Sequence, residues 1–287
     1  MGRIYKALMF NDEISVSLLE TTDIVNQAIE YHNLTPVCAA ALGRTLTVCS
    51  FMSTSLKNNN DSLTVTISGD GPCGHIVACA DSDNTVRGYV DNPQLDIPLK
   101  ENGKLDVGAC VGKGSIAVIK NMGLKEPWRG SCPIVSGEIG EDFSAYYTYS
   151  EQQPTAISVG VKIGRDLKCI ASGGLIIQPL PFASEESILK CEELLSHFGA
   201  ISTLIETIGF DGIIEKYFKD IKFDKYETSY NCKCSKDRID RVVLTLGKDE
   251  LYKICAEEGK VQVTCHFCSK AYDYQKKDID ILLSENG

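Results

Sequence analysis

Two closely spaced cysteine pairs near the C-terminus constrain this chain more than any other feature. Cys232 and Cys234 lie in YNCKCSKDRID, and Cys265 and Cys268 lie in VQVTCHFCSKAY. Residues i and i+2 of an extended segment project to the same side, and C-x-x-C is the spacing of a zinc knuckle. The stretches VQVT and AYDYQ are typical of the two strands of a zinc-ribbon-like hairpin. Four thiolates match the tetrahedral coordination of zinc, so we predict one zinc ion per chain.

The small size of the C-terminal segment makes this metal decisive for its fold. A typical stability of ~0.05 to 0.15 kcal/mol per residue gives residues 231–287 only about 3 to 9 kcal/mol. Structural zinc in small peptides contributes on the order of 10 to 16 kcal/mol. Loss of zinc is therefore expected to unfold this segment.

Oxidation is one route by which the zinc can be lost. Each pair is close enough in sequence to close a local disulfide, and a zinc-bound thiolate is already in the form that oxidants attack. A C-x-C ring is tight, and strain would make its disulfide reducible again. Most four-cysteine zinc sites are permanent structural sites. The spacing alone therefore leaves open both a structural site and a redox switch. His266 could in principle replace one sulfur, but its position directly after Cys265 points it elsewhere.

Residues 1–180 are predicted to form a domain in which strands dominate. RIYKALMF and EISVSLL, separated by Asn11 and Asp12, predict a hairpin, and helical stretches begin at Thr22 and near Pro36. A series of short strands follows: LTVTISG, HIVACAD, VRGYVD, GSIAVIK, AYYTYS, AISVGVKI and GLIIQ. Such a series predicts antiparallel sheets with helices packed against them, so the fold class is α+β.

Residues 181–230 are predicted to form a helical linker between this domain and a C-terminal zinc domain at 231–287. Ser184 can cap the helical stretch EESILKCEELLSHF, and shorter helical pieces lie around STLIETI and DGIIEKYFKD. The linker carries more apolar residues than a passive connector needs. It must therefore dock on another part of the protein or be available to bind a partner.

The charge of the chain limits the partners that it can have. The formal net charge is −10, with 39 acidic and 29 basic residues. This balance argues against nucleic acid and against an anionic membrane surface. Neither a signal peptide nor an apolar run of about 18 to 20 residues is evident, so we expect a cytoplasmic protein.

Nine further cysteines lie outside the two pairs. Free cysteine is among the most frequently buried residue types, so we predict that they are small buried hydrophobes. They are Cys38, Cys49, Cys73, Cys79, Cys110, Cys132, Cys169, Cys191 and Cys255.

Motifs along nearly the whole chain resemble those of the heat shock protein 33 family of redox-regulated holdase chaperones. They are AALGRTL, SGDGP with VRGYVDNP, VGKGSIAVIK, SGEIGEDFSAYYTYSEQQPTA, GGLIIQPLP, and CKCS with CHFC. The C-x-C and C-x-x-C pair with LGKDEL between them is the most specific part. The nine other cysteines are not part of the family's motif, and Cys255 is the one most expected to interfere with it.

The resemblance implies a function. The reduced, inactive protein holds zinc through Cys232, Cys234, Cys265 and Cys268. Oxidation pairs Cys232 with Cys234 and Cys265 with Cys268, releases the zinc, unfolds the zinc domain and destabilises the linker. The protein then forms a homodimer and binds unfolding client proteins without ATP. A small domain that folds only with its metal, next to an apolar linker, has a folded and an unfolded state. Oxidation could shift the balance between these two states.

Client binding requires exposed apolar surface, and the linker is the first place to look for it. The candidate residues are Leu195, Phe198, Ile213, Ile214, Tyr217 and Phe218. Hydrophobic periodicity of this kind is also typical of core packing.

An alternative function is an enzyme that uses the N-terminal domain and keeps the zinc ribbon as a structural element. SGDGPCGH and VGKGSIA contain glycines that could approach a phosphate, but neither fits a nucleotide-binding motif, and turns explain them better. Acidic residues in ACADSDN and GEIGEDF could pair as acid and base, although solvated loops are the simpler interpretation. A nucleic-acid-binding zinc module would rest on KCSKDRIDR, where interleaved aspartates favour a solvated helix face.

Overall fold

The computed structural model describes residues 1–285 and divides the chain into two compact units. The first unit spans Met1–Asn231 and the second begins at Cys232. Sheets and helices are both present in each unit, which confirms the predicted α+β class.

A mixed sheet of ten strands forms the first unit. Its spatial order is β7-β6-β3-β4-β5-β10-β1-β2-β9-β8. The strands are β1 (Gly2–Met9), β2 (Ile14–Glu20), β3 (Ser62–Gly69), β4 (His75–Asp81), β5 (Thr85–Val90), β6 (Gly114–Asn121), β7 (Trp128–Pro133), β8 (Ala156–Ile163), β9 (Cys169–Pro179) and β10 (Asp224–Tyr230). Eight of the neighbouring pairs are antiparallel, and β10 pairs with β5 in parallel.

Six helices accompany this sheet in the first unit. They are α1 (Thr22–His32), α2 (Pro36–Ser53), α3 (Val107–Val111), α4 (Gly140–Tyr149), α5 (Glu185–His197) and α6 (Ile201–Tyr217). By length and hydropathy α2 could cross a membrane, but 89% of it is buried inside the unit. It serves as the central core helix, with 16 of its residues buried.

The first hairpin forms as its sequence predicts. Strands β1 and β2 pair antiparallel from Arg3 opposite Glu20 to Met9 opposite Ile14. Asn11 and Asp12 both adopt positive φ in the turn, a conformation that these short polar side chains tolerate. The predicted helix starts at Thr22 and Pro36 are also confirmed.

The prediction of a strand at AYYTYS is wrong. These residues belong to α4, whose first turn is fixed by the buried carboxylate of Asp142. That carboxylate accepts backbone N–H bonds from Val135, Ser136, Gly137 and Ile139 at 2.8 to 3.1 Å. Asp142 therefore organises a turn and starts a helix, and it is not the solvated loop residue that we predicted.

The predicted linker, residues 181–230, is part of the first unit. Ser184 caps α5 as predicted, since its Oγ accepts the N–H of Ser187. The two shorter helical pieces merge into α6, which breaks at Gly209, where φ is +71°. The last part of the linker is not helical, because it forms strand β10 between β1 and β5.

Helices α5 and α6 share a hydrophobic cluster with one face of strands β1, β2 and β9. The six candidate client-binding residues all belong to this cluster. Ile213 and Phe218 are fully buried within it, and Leu195, Phe198, Ile214 and Tyr217 are partly buried against it.

The second unit is small. It contains α7 (Lys236–Leu244), α8 (Lys248–Glu258), β11 (Val261–Thr264), β12 (Ala271–Tyr274) and α9 (Lys276–Glu285). Strands β11 and β12 form the predicted antiparallel hairpin. The buried apolar residues of the second unit are Ile239, Val243, Leu251, Val261, Cys265, Tyr272, Tyr274, Ile279 and Leu282. A core of this size gives the unit little stability of its own.

Candidate metal centre

Local turns place the four clustered cysteines at one end of the β11–β12 hairpin. Cys265 and Cys268 lie in the connection between the strands, where the N–H of Ser269 donates to the Cys265 carbonyl at 2.8 Å. Ser269 takes a positive φ of 56°, which closes this tight turn. Cys232 and Cys234 lie just before Ser235, the residue whose Oγ caps α7. One pair therefore lies in a hydrogen-bonded turn, and the other directly precedes a capped helix.

The four sulfur atoms form a compact group, all within 4.8 Å of one another. The Sγ atoms of Cys232 and Cys265 are 3.6 Å apart, and those of Cys234 and Cys268 are 3.5 Å apart. Zinc in a tetrahedral thiolate site, with Zn–S bonds of about 2.3 Å, holds its sulfurs about 3.8 Å apart. The donor set and its spacing fit zinc, and His266 is not a member of the group.

A tyrosine from the facing strand contacts this group. The hydroxyl of Tyr272 on β12 donates to Cys234 Sγ at 3.2 Å. Burial raises the pKa of Cys234, but hydrogen bonds from Tyr272 and the other thiols outweigh it and lower this pKa to about 7. Burial is the main cause that raises the pKa of Cys268 to about 11 and that of Cys232 further still. Of these three thiols, Cys234 ionises most readily.

The structure brings together all four cysteines of the predicted zinc site, and it adds Tyr272. The stretch AYDYQ gave a strand, but the sequence carries no sign of which of its tyrosines meets a sulfur. Cys255 on α8 stands apart from the four, with its Sγ 4.0 Å from the Tyr274 carbonyl. The eight cysteines of the first unit are all buried, as predicted, whereas Cys255 is only half-buried, so the prediction is wrong for this residue.

Replacement of Tyr272 by phenylalanine is expected to loosen the metal. Loss of an outer hydrogen bond to a metal ligand typically lowers metal affinity about 10-fold or more. We expect Tyr272→Phe to bind zinc about tenfold more weakly and to release it sooner under peroxide, as measured by competition with a chromogenic chelator. Tyr252→Phe is the matched control, because that hydroxyl donates to Asp280 at 2.5 Å and touches no sulfur. Equal zinc affinity of the two variants would contradict this role of Tyr272.

The glycine-rich motifs of the first unit allow two backbone segments to approach each other closely. A Cβ atom on Gly71 of SGDGP would lie 2.4 Å from the Cys110 carbonyl oxygen, and Gly112 of VGKGS has φ of +74°. The N–H of Gly71 donates to the Val111 carbonyl at 3.0 Å. These glycines let two loops meet, which accounts for them without a phosphate.

The ten-stranded sheet of the first unit and the four-cysteine cluster of the second define a two-unit protein with a candidate metal site. The sequence profile of the Hsp33 protein family matches residues 2–275 of this chain. The 33 kDa chaperonin of Caldanaerobacter subterraneus subsp. tengcongensis is 41% identical over 287 residues, which cover 98% of each chain. The 33 kDa chaperonin of Bacillus cytotoxicus is 41% identical over 285 residues, again 98% of each chain.

A solved structure agrees with these relatives. The crystal structure of the 33 kDa chaperonin, or heat shock protein 33 homolog, from Thermotoga maritima matches with a TM-score of 0.92 at 31% identity, covering 99% of this chain and 98% of that one. The chain belongs to the Hsp33 family. It is a redox-regulated chaperone with a four-cysteine zinc site, and it is a non-enzymatic holdase. The enzyme alternative is thereby set aside.

Proposed function

We propose that Cys232, Cys234, Cys265 and Cys268 bind one zinc ion in the reduced protein, and that their oxidation activates an ATP-independent holdase in the cytoplasm. The compact group of four sulfurs is the observation that carries this proposal. Zinc neutralises the thiolates and ties the residues before α7 to the β11–β12 hairpin. Cys232, Cys234 and Cys268 are partly exposed, so an oxidant can reach the site.

Oxidation converts the four ligands into two local disulfides, Cys232 with Cys234 and Cys265 with Cys268. Each disulfide forms when two zinc-bound thiolates lose two electrons to one peroxide, which takes up two protons from the solvent and is reduced to two water molecules. Disulfide sulfur is a poor zinc ligand, so the metal leaves. The remaining core of the second unit is too small to hold its fold without zinc.

The chain connects this unfolding to the linker. Asn231 alone separates strand β10 from Cys232. Strand β10 pairs with β5 through Ser229 and Tyr230 opposite Thr85 and Val86. Unfolding of the second unit therefore frees the chain that directly follows β10. Strand β10 can then separate from β5.

Separation of the linker would uncover apolar surface for unfolded clients. Helices α5 and α6 cover the apolar face of β1, β2 and β9. If β10 and these helices detach, both that sheet face and the helix faces are exposed. Large apolar patches of this kind bind unfolded chains, and self-association through them accounts for a homodimer on activation.

The six candidate client-binding residues therefore lie on surfaces that are covered in the reduced state and exposed after oxidation. Leu195→Asp and Phe198→Asp should each weaken client binding by the oxidised protein about tenfold, because each removes an apolar side chain worth ~1.5 to 3 kcal/mol when buried. The measurement is the chaperone concentration that halves light scattering by an aggregating client. Ser196→Asp, on the same helix and exposed, is the control. Suppression by Leu195→Asp and Phe198→Asp equal to that of Ser196→Asp would remove these residues from the client surface.

Peptide mapping of the peroxide-treated protein tests the proposed pairing. The map should contain the two local disulfides, and the appearance of holdase activity should follow their formation. Sedimentation of the same samples should show dimers only after oxidation. Cross-pairing of Cys232 with Cys265, or activity that appears while all four thiols are free, would contradict the proposal.

A further inference from the structure

One short strand pairing joins the two halves of the ten-stranded sheet. Strands β7-β6-β3-β4-β5 lie on one side of it and β10-β1-β2-β9-β8 on the other. The join is the parallel pairing of β10 with β5, whose register contains two residue pairs, Ser229 with Thr85 and Tyr230 with Val86. The pairing of β10 with β1 contains five. The join therefore has little backbone pairing, and it lies at the end of β10 that continues into the second unit.

The Tyr230 side chain continues this pairing by one position. Alternate residues of a strand present their N–H and C=O groups to the same neighbour, so Gly88 follows Val86 on the edge of β5 that faces β10. Strand β10 ends at Tyr230, and the N–H of Asn231 donates to the Val86 carbonyl at 2.9 Å. The Tyr230 hydroxyl accepts the Gly88 N–H at 3.2 Å and donates to the Gly88 carbonyl at 2.8 Å. A phenol hydroxyl thus takes the place of the next backbone residue of β10.

Helix α1 holds this hydroxyl in position. His32, the last residue of α1, donates from Nε2 to the Gly88 carbonyl at 3.0 Å, and the same nitrogen lies 3.3 Å from the Tyr230 oxygen. The ring of Tyr31 meets the Tyr230 ring edge-on, with centroids 5.4 Å apart. Gly88 is buried, so its N–H and C=O groups need partners within the protein. Tyr230 is thus fixed by groups of α1 and β5, and both elements belong to the first unit.

We propose that the Tyr230 hydroxyl is a lock that keeps β10 on β5 and slows the spread of unfolding from the second unit into the linker. Unfolding that follows zinc loss enters β10 at its C-terminal end, where Tyr230 is the last residue. Separation of β10 at this point takes the hydroxyl away from two buried backbone groups, which opposes the separation. The consequence for holdase activity rests on the proposed function, whereas the lock itself is a property of the first unit.

A second side chain of β10 comes into play only after Tyr230. Thr228 is 2% exposed, and its Oγ1 donates to the Asn84 carbonyl at 2.8 Å, just before β5 begins. Thr228 is further from the second unit, and it is also paired with Gly2 on β1. Separation of β10 from β5 therefore starts at Tyr230, and the strength of the Tyr230 contacts determines how readily it starts.

Hydrogen exchange of the full-length protein in its reduced, zinc-loaded form tests the lock. Tyr230→Phe keeps the ring and removes the hydroxyl. We expect the amides of residues 85–88 and 224–231 to exchange about tenfold faster than in the unmodified protein, because the lost hydrogen bonds favour local opening. Zinc affinity should stay the same, because Tyr230 is not a member of the four-sulfur group. Tyr226→Phe is the matched control, since Tyr226 is on the same strand, 44% exposed and outside the register with β5.

Activation kinetics test what the lock does in the switch. After peroxide treatment, zinc release measured with a chromogenic chelator should be equally fast in the unmodified protein and in both variants. Holdase activity should follow zinc release with a delay that is about tenfold shorter in Tyr230→Phe, because β10 separates from β5 more readily. Tyr226→Phe should keep the delay of the unmodified protein.

The results that overturn this proposal differ from those that overturn the proposed function. Equal exchange rates of Tyr230→Phe and Tyr226→Phe at residues 85–88 and 224–231 would show that the hydroxyl is not a lock. Faster exchange in Tyr230→Phe with an unchanged delay would show that the lock does not control activation. Zinc loss without holdase activity in all three proteins would contradict the proposed function, and hydrogen exchange would still decide whether the lock exists.

Discussion

Removal of zinc from the reduced protein is expected to unfold the second unit and leave residues 1–180 of the first unit folded. The second unit has a small apolar core, and its four sulfurs lie on two segments that a bound metal would tie together. We expect its free energy of unfolding to fall by on the order of 10 kcal/mol, more than the ~3 to 9 kcal/mol available to a unit of this size. Hydrogen exchange should show loss of protection at α7, α8 and α9, while the fluorescence of Trp128 stays unchanged.

Two single variants make this expectation specific to the zinc ligands. Cys265→Ala removes a proposed ligand and should unfold the second unit even with zinc in excess. Cys255→Ala, in the same unit but outside the group of four sulfurs, should bind zinc and keep hydrogen-exchange protection. Protection that survives the chelator, or equal behaviour of the two variants, would show that the unit folds without the metal.

Replacement of Asp142 by alanine is expected to destabilise the first unit by about 3 to 5 kcal/mol. Its carboxylate accepts four backbone N–H groups from the turn before α4, and the side chain is 1% exposed. Without it these donors have no partner, and each buried unsatisfied polar group costs ~1 to 3 kcal/mol before relaxation. Thermal unfolding followed by Trp128 fluorescence should shift down by about 10 °C.

The control for this variant is another aspartate that accepts a backbone bond at the surface. Asp166 is exposed and accepts the N–H of Lys168 at 3.3 Å. Asp166→Ala should change stability by less than ~0.5 kcal/mol. A shift for Asp142→Ala as small as that for Asp166→Ala would mean that the turn holds its shape without the carboxylate.

The predictable parts of the fold are those whose cause is local. Asn11 and Asp12 mark a turn, Ser184 caps a helix, and the spacing of Cys265 and Cys268 determines a knuckle. The strand predicted at AYYTYS failed because aromatic residues and threonine favour strands by their own preference. Asp142, which starts a helix there, acts through a turn formed by the preceding residues, and this turn has no recognisable signature in the sequence.

Contacts between segments far apart in the sequence could not be predicted from local sequence patterns. The parallel pairing of β10 with β5 joins residues more than 140 positions apart, so a segment assigned to a linker became a strand. The bond from Tyr272 to Cys234 depends on the register of the hairpin. Local pattern identified the four cysteines of the candidate site, but not the groups that contact them.

The most direct test of the redox switch is to measure bound zinc and suppression of client aggregation on the same samples. The samples are the reduced protein, the protein after peroxide, and the protein after reduction with zinc restored. We predict that about one zinc ion per chain leaves as holdase activity appears, and that both changes reverse on reduction. Zinc that remains bound in the active protein, or zinc loss without client binding, would contradict the proposal that these four cysteines control the chaperone.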